Sequence, residues 1–274
     1  MAHADSSALL NPVSHETIRP NPAHSWWPVW LLIAVGVVVY VPSLPHPFLF
    51  DDQPAIRDNP SIRRLWSPDV FANIPRDTTV AGRPILNLSF AMNYAGCGLQ
   101  VEGYRVINLL IHLLSTLTLF GILRRTFTTP HLRERYGPRA TGLAASIALI
   151  WMVHPLQTES VTYVVQRAES LMGLWYLLTL YGVIRGASSS TPRRWYLVSA
   201  LTCWLGMGTK EVMASAPIVI LLYDRTFLAG SFRAAWQRRS WWYLGLALGW
   251  GWLTFNMAGG PRSTTAGWGM IHRT

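Results

Sequence analysis

The sequence predicts an all-α polytopic membrane protein with about seven transmembrane helices. Three observations carry that class. Half of the residues are hydrophobic and only 13 % are charged, where a soluble domain carries about a quarter. The apolar residues fall in blocks of roughly 15–20 with aromatic and arginine flanks, as bilayer-crossing helices do. The basic residues are almost all arginines, Lys210 being the only lysine, and they crowd the short connections between those blocks.

Residues 1–25, with Pro12, Pro20 and Pro22, read as a disordered cytoplasmic tail. They lack the charged-then-apolar pattern and small-residue cleavage site of a signal peptide. The run 26–44 is therefore predicted as a retained first span. Further spans are predicted at 104–123, 140–153, 170–184, 195–209, 212–223 and 240–257, making 26–257 the membrane domain and 258–274 an irregular tail. Several are short for a hydrocarbon core of about 30 Å. Their helices are expected to run on into flanking polar segments, as in VTYVVQRAESLMGLWYLLTLYGVI, or to enter only partway. The pair around Lys210 reads as a short hairpin or re-entrant turn.

Arg124, Arg125, Arg133, Arg135 and Arg139 crowd one connection, Arg185, Arg193 and Arg194 the next, and Arg225, Arg233, Arg238 and Arg239 a third. By the positive-inside rule these loops are cytoplasmic, and so is the amino terminus. Segments 45–103 and 154–169 and the turn at 210–211 then face outward. Nine of the thirteen acidic residues lie in those three segments, so chemistry is to be sought on the outer face. A bacterial cytoplasmic membrane is the expected location, or the endoplasmic reticulum if the source is eukaryotic. The net charge of +10 is accounted for by topology. Without a basic aromatic platform, no nucleic-acid partner is expected. Cys97 and Cys203, in an outer loop and a span, are not expected to form a disulfide.

The first outer loop is about 59 residues long, a length at which loops usually work or carry their own helices. Its stretch GRPILNLSFAMNYAG spaces Ile85, Leu88 and Phe90/Ala91 like one face of an amphipathic helix lying on the membrane surface. The loop opens on FLFDDQPAIRDNP, which places Asp51 and Asp52 side by side at a membrane edge. Neighbouring side chains diverge, so one of the two is expected in any cleft, where partial desolvation suits a carboxylate to general-base work. The turn-rich surroundings fit a turn or helix cap equally well.

Three further constellations stand out. In HPLQTESVTYVVQRAE, a helix from Leu156 would align Glu159, Tyr163, Gln166 and Ser170, with Arg167 on an adjacent face and His154 in the His-Pro turn. That stripe either lines a cavity or is a solvated interfacial helix. Arg105, Asn108, His112 and Ser115 form one polar stripe on the second span, suited to pairing helices. GMGTKEVMASAP offers Lys210 and Glu211 as a phosphate-binding cation with a nearby acid, or as an interfacial anchor.

Taken in order, FDDQPAIRDNP, GRPILNLSFAMNYAGCGLQVEGYRVINLLIHLLSTLTLFGILRRT, HPLQTESVTYVVQRAESLMGLWYLLTLY and GMGTKEVMASAPIVILLYDR resemble the membrane half of one family. That family is the transmembrane and tetratricopeptide-repeat proteins, O-mannosyltransferase-like members of the C-type glycosyltransferase superfamily. The resemblance runs roughly from residue 26 to 252. It implies transfer of a sugar, typically mannose, from a polyprenyl-phosphate carrier to Ser or Thr hydroxyls of extracytoplasmic proteins, in an inverting single displacement. It also implies that one of the acidic pair is the base, with Asp52 slightly favoured over Asp51. Arg83, Arg105, Arg167 and Lys210 are the outer cations suited to the donor phosphate, with His154, Gln166, Glu159, Glu169 and Glu211 around them as substrate-binding candidates. No cofactor is required. Mg²⁺ or Mn²⁺, if used, would find oxygen ligands in the acidic pair with Glu159 or Glu169, and no residue is assigned to a metal. Family members continue with more spans and an array of repeats, so the chain reads as a truncated member whose missing parts a second subunit would supply. The alternatives are a non-catalytic membrane subunit of the same fold and a transporter of lipid or solute.

Overall fold

A computed structural model describes residues 26–257, and the described chain is helical without strands. The two predicted tails, 1–25 and 258–274, lie outside the described residues. The helices are α1 (Trp27–Tyr40), α2 (Asp69–Ala72), α3 (Pro84–Cys97), α4 (Val101–Phe127), α5 (Pro130–Tyr136), α6 (Ala140–Val153), α7 (Leu156–Thr162), α8 (Arg167–Ser188), α9 (Pro192–Met207), α10 (Ala216–Tyr223) and α11 (Phe232–Met257). Prolines 84, 130 and 192 open α3, α5 and α9, where a missing amide hydrogen costs nothing.

Each of the seven predicted apolar segments lies on a helix. Two helical segments, Val101–Phe127 and Glu211–Ala229, are long and apolar enough to cross a membrane by themselves. The pair Pro130–Val153 and Leu156–Thr162, bent by 67°, would make a third. The other helices are shorter, or carry charges inside their length such as Arg185 in α8 and Arg238 and Arg239 in α11.

The bundle closes through small residues and hydroxyls. A Cβ on Gly182 would sit 2.9 Å from the Ser199 Cβ, and one on Gly186 2.7 Å from the Tyr196 ring, so α8 and α9 meet at backbone distance. Ser199 Oγ donates to the Thr179 carbonyl across that contact at 2.7 Å. This is the packing membrane helices favour, where apolar burial gives no net drive. On the other side α1 lies over α4 and α6, burying Leu32 and Tyr40 with Leu113 and Met152. Tyr40 Oη donates to the Met152 carbonyl (2.9 Å), and His112 Nε2 lies 3.0 Å from the same oxygen. His112 thus serves the carboxyl end of α6, where carbonyls lack partners within the helix.

Where the basic loops lie, Arg239 is not a loop residue. It is buried at a kink in α11, 2.7 Å from both carboxylate oxygens of Asp224, with Nε donating to Tyr196 Oη at 2.8 Å. Tyr243 Oη completes the cluster by donating to Asp224 at 2.7 Å.

The long loop is a folded unit. Ala55, Ile56, Ile62, Val70 and Val80 pack on Leu86 and Phe90 of α3 and on Tyr104, Val164 and Val165. A buried polar cycle threads it. Asn59 donates to Asn87 (3.0 Å) and to the Ala55 carbonyl (2.9 Å), Ser61 Oγ donates to Asn59 (2.7 Å), and Asn87 donates to Ser61 Oγ and the Val70 carbonyl (both 2.9 Å). The predicted amphipathic helix exists as α3, but its buried face carries Leu86, Asn87, Phe90 and Ala91, while Ile85 and Leu88 are only half-buried. The face turns because α3 packs on the loop beneath it as well as on the bundle.

Candidate functional site

Residues 49–52 make a tight turn. The Asp52 amide donates to the Leu49 carbonyl at 2.8 Å, and Leu49 N–H donates back to Asp52 Oδ2 at 3.0 Å. The other oxygen, Oδ1, accepts from Val165 N–H at 2.8 Å. Asp52 is completely buried, while Phe50 and Asp51 at the tip are exposed. Burial, the largest influence, pushes the Asp52 carboxyl above its ordinary value, and the two amides and Arg105 pull the other way. The Asp51 amide donates to Tyr163 Oη at 3.0 Å, and Tyr163 also feels the charges of Asp52 and Glu159.

The adjacent carboxylates therefore divide their work. Asp52 is committed to two backbone amides, and Asp51 is presented outward by them. Both Val165 and Tyr163 are available because no continuous helix runs from Leu156 to Gln166. α7 ends at Thr162, the backbone of Tyr163 after it is extended (φ −87°, ψ 113°), and a short turn Val164–Gln166 precedes α8. The predicted stripe Glu159–Tyr163–Gln166–Ser170 is thus broken, although Gln166 still reaches Glu159 at 3.0 Å. His154 accepts the Leu156 amide through Nδ1 at 3.2 Å.

The four candidate cations fall into two classes. Arg105 and Arg167 are buried and engaged internally. Arg105 donates to the carbonyls of Leu44, His46, Pro47 and Thr162, clamping the end of α1 and the α7 break onto α4. Arg167 donates to Asn108 (2.7 Å), Asn93 (2.8 Å), the Tyr104 carbonyl (2.8 Å) and the Ser89 carbonyl (3.2 Å), with Phe90 stacked 4.8 Å from its guanidinium. Guanidinium groups are paired this fully because an unpaired buried charge is very costly.

Arg83 and Lys210 differ. Arg83 contacts both oxygens of Glu211 at 3.2 Å, and Lys210 is paired with Glu169. Residues 210 and 211 are adjacent, so one turn supplies a member to each ion pair. Ile85 N–H, donating to the Gly208 carbonyl at 3.1 Å, ties the start of α3 to that turn. Arg83 Nε is buried and has no hydrogen-bond partner among the described residues. An apolar groove of about 640 Å³ runs between α3, α4, α8 and α9, lined by Ile85, Met92, Ile107, Leu171, Trp175 and Leu205 among others. Of its lining, Ile85, Leu171 and Leu205 stand two, two and five residues along the chain from Arg83, Glu169 and Lys210.

Among the described residues no three His, Cys, Asp or Glu side chains gather as a metal site. Glu169 is engaged by Lys210 and Glu159 by Gln166, so neither joins the acidic pair. Sequence reasoning missed Asn59, Asn87 and Asn93 as organisers. A polar residue on an amphipathic helix's packed face, as Asn87 is, was the available signal.

The three outward-predicted segments are joined at one end of the bundle, through Asp52 to Val165, Arg105 to Thr162, and Arg83 to Glu211. With that geometry in hand, the relatives are informative. The chain is 33 % identical over 211 residues to the human protein O-mannosyl-transferase TMTC4, covering 67 % of this chain and 28 % of the relative. It is 26 % identical over 234 residues to the Drosophila melanogaster protein O-mannosyl-transferase Tmtc2, covering 80 % and 24 %. It is 30 % identical over 204 residues to the mouse protein O-mannosyl-transferase TMTC2, covering 70 % and 23 %. The chain thus spans about a quarter of the length of these curated relatives. No family model and no solved structure matches it.

Proposed function

We propose, from the premise that this chain belongs to the family of the TMTC protein O-mannosyl-transferases, that it carries the donor end of such a transferase. It would move mannose from a polyprenyl-phosphate carrier to a Ser or Thr hydroxyl of an extracytoplasmic protein. The reading includes a C-type glycosyltransferase arrangement of residues 26–257, its seven apolar helices lying in the bilayer and its amino terminus in the cytoplasm. One observation carries it: the 49–52 turn, in which a buried Asp52 holds an exposed Asp51 at the predicted outer end.

The chemistry follows from that division. Asp51 takes the proton of the acceptor hydroxyl as its oxygen attacks the anomeric carbon. The bond from that carbon to the phosphate oxygen breaks, and the carrier phosphate leaves with the electron pair. A phosphate needs cations more than it needs an acid, and Arg83 and Lys210 are the partly accessible ones. The isoprenoid chain would occupy the apolar groove between α3, α4, α8 and α9. Asp52, Arg105 and Arg167 act as positioning residues.

The pairing of every candidate cation inside the protein favours a second reading, a non-catalytic module of the same fold that binds a partner subunit. The two are separated by transfer of radiolabelled mannose from polyprenyl-phosphate mannose, in membranes from cells lacking the endogenous activity. The native chain should label protein, and Asp51→Asn should abolish label while leaving the chain folded and inserted. Label lost only with Asp52→Asn would reassign the base. No label with folded native chain would leave the module reading standing.

A further inference from the structure

Phe50 occupies a place where a large aromatic is costly. It is the first of the two tip residues of the 49–52 turn, with φ +37°, a region that glycine or asparagine enters readily and phenylalanine rarely. Its ring is 84 % exposed, so packing inside the protein does not account for it. The strain is held in place from several directions at once: Asp52 bonds both polar backbone groups of Leu49, Tyr163 holds the Asp51 amide, and the Gln53 amide donates to the Phe50 carbonyl at 3.1 Å. Strained backbone maintained by so many ties, with an exposed ring as its product, points to the ring's use.

Its neighbour says what that use is. The ring shares the tip with Asp51, and a carboxylate at that spacing opposes immersion of the tip in hydrocarbon. In a single displacement the base and the incoming hydroxyl stand on the side of the anomeric carbon opposite the leaving phosphate. A ring on the same turn as the base, diverging from it, stands on the acceptor's side of that carbon, beside the reacting hydroxyl and away from the carrier. We infer that Phe50 is a specificity-determining residue that lays its ring against the peptide flanking the acceptor hydroxyl. The inference rests on Asp51 being the base. It adds a binding contact for the acceptor, made by this chain itself.

Two measurements test it on the full chain in membranes. In the first, Phe50→Gly and Phe50→Trp are compared with the native chain in mannose transfer to a synthetic Ser/Thr-containing peptide. Glycine relaxes the turn and removes the ring, so thermal stability should hold or rise while KM for the peptide rises about tenfold. KM for polyprenyl-phosphate mannose should stay within about twofold, and tryptophan should restore peptide KM. Equal peptide KM in the glycine variant and the native chain, with transfer intact, would overturn the inference and leave the transferase reading untouched. In the second, a photoreactive p-benzoylphenylalanine at position 50 is irradiated with the same peptide carrying biotin. Crosslinking that excess unlabelled peptide suppresses is the expected result, and it requires no sugar transfer. Crosslinks to lipid alone would overturn the inference. A peptide crosslink from a chain that transfers nothing would instead sink the transferase reading while the contact survives.

Discussion

Asp52 shows how a single buried carboxylate can be expensive and still worth keeping. It gives up all contact with solvent and receives two backbone amides, from Leu49 and Val165. Its proton is held more tightly in the folded chain than in the unfolded one, because burial outweighs those amides. A carboxyl with a raised folded value favours folding at low pH, and that contribution is lost as pH rises past the unfolded value of about 3.9 and through the raised one. The thermal stability of the detergent-solubilised chain relative to Asp52→Asn should therefore decline over that interval and then level off. A difference that grew with pH would mean that the amides, not burial, dominate. At neutral pH, Asp52→Ala should cost about 1–3 kcal/mol for each amide left without an acceptor, read as a lower melting temperature beside Asp51→Ala.

At the level of elements, the junction of α3 with the 208–211 turn is the place where ligand and protein compete. Arg83 and Lys210 are nearly buried along their side chains (15 % and 16 % exposed), while Glu211 and Glu169 are more open at 39 % and 38 %. Ion pairs with an exposed partner are worth little, about 0–1 kcal/mol. A phosphodiester that offers the same single charge on two free oxygens can displace them. Glu169→Gln and Glu211→Gln should accordingly lower KM for the lipid-linked donor by about two- to fivefold, and Arg83→Met should raise it. Donor KM unchanged in all three variants would put the phosphate elsewhere. None of the three variants touches the 49–52 turn, so peptide KM serves as the internal control.

For the molecule as a whole, helix positions were legible because apolar blocks and arginine-rich connections are period and composition, which a sequence displays directly. Segment 140–153 coincides with α6 to the residue, and 26–44 with α1 and its closing turn. The stripe Arg105–Asn108–His112–Ser115 was legible as a buried face, and all four are buried. What each would meet was not. Arg105 and Arg167 look like anion sites until the carbonyls of Leu44, Pro47 and Tyr104 are seen in front of them, and those carbonyls are brought by other segments. The break at Tyr163 was also hidden. Its residues suit a helix well enough, and what stabilises the extended backbone is Asp52, more than a hundred positions earlier. Where a partner is distant in the chain, spacing says that a charge needs one but not which it takes.

The cycle of Asn59, Ser61 and Asn87 carries a consequence for how proteases would treat this protein. A loop of that length, with arginines at 57, 63, 64 and 76, is on paper an ideal protease substrate. A protease, however, needs some eight to ten residues extended in its cleft, and the cycle keeps residues 55–87 knotted to one another and to α3. Trypsin added to the exposed face of intact vesicles should leave the bonds after Arg57 and Arg63 uncut. Asn87→Ala, which strands Asn59 and Ser61 inside, should open them at low enzyme and cost about 1–3 kcal/mol of local stability. Cleavage of the native loop at those bonds would mean that the cycle does not hold. Cleavage of the Asn87→Ala chain would also report which face of the membrane the loop occupies, so three amide and hydroxyl side chains turn a topological question into a band on a gel.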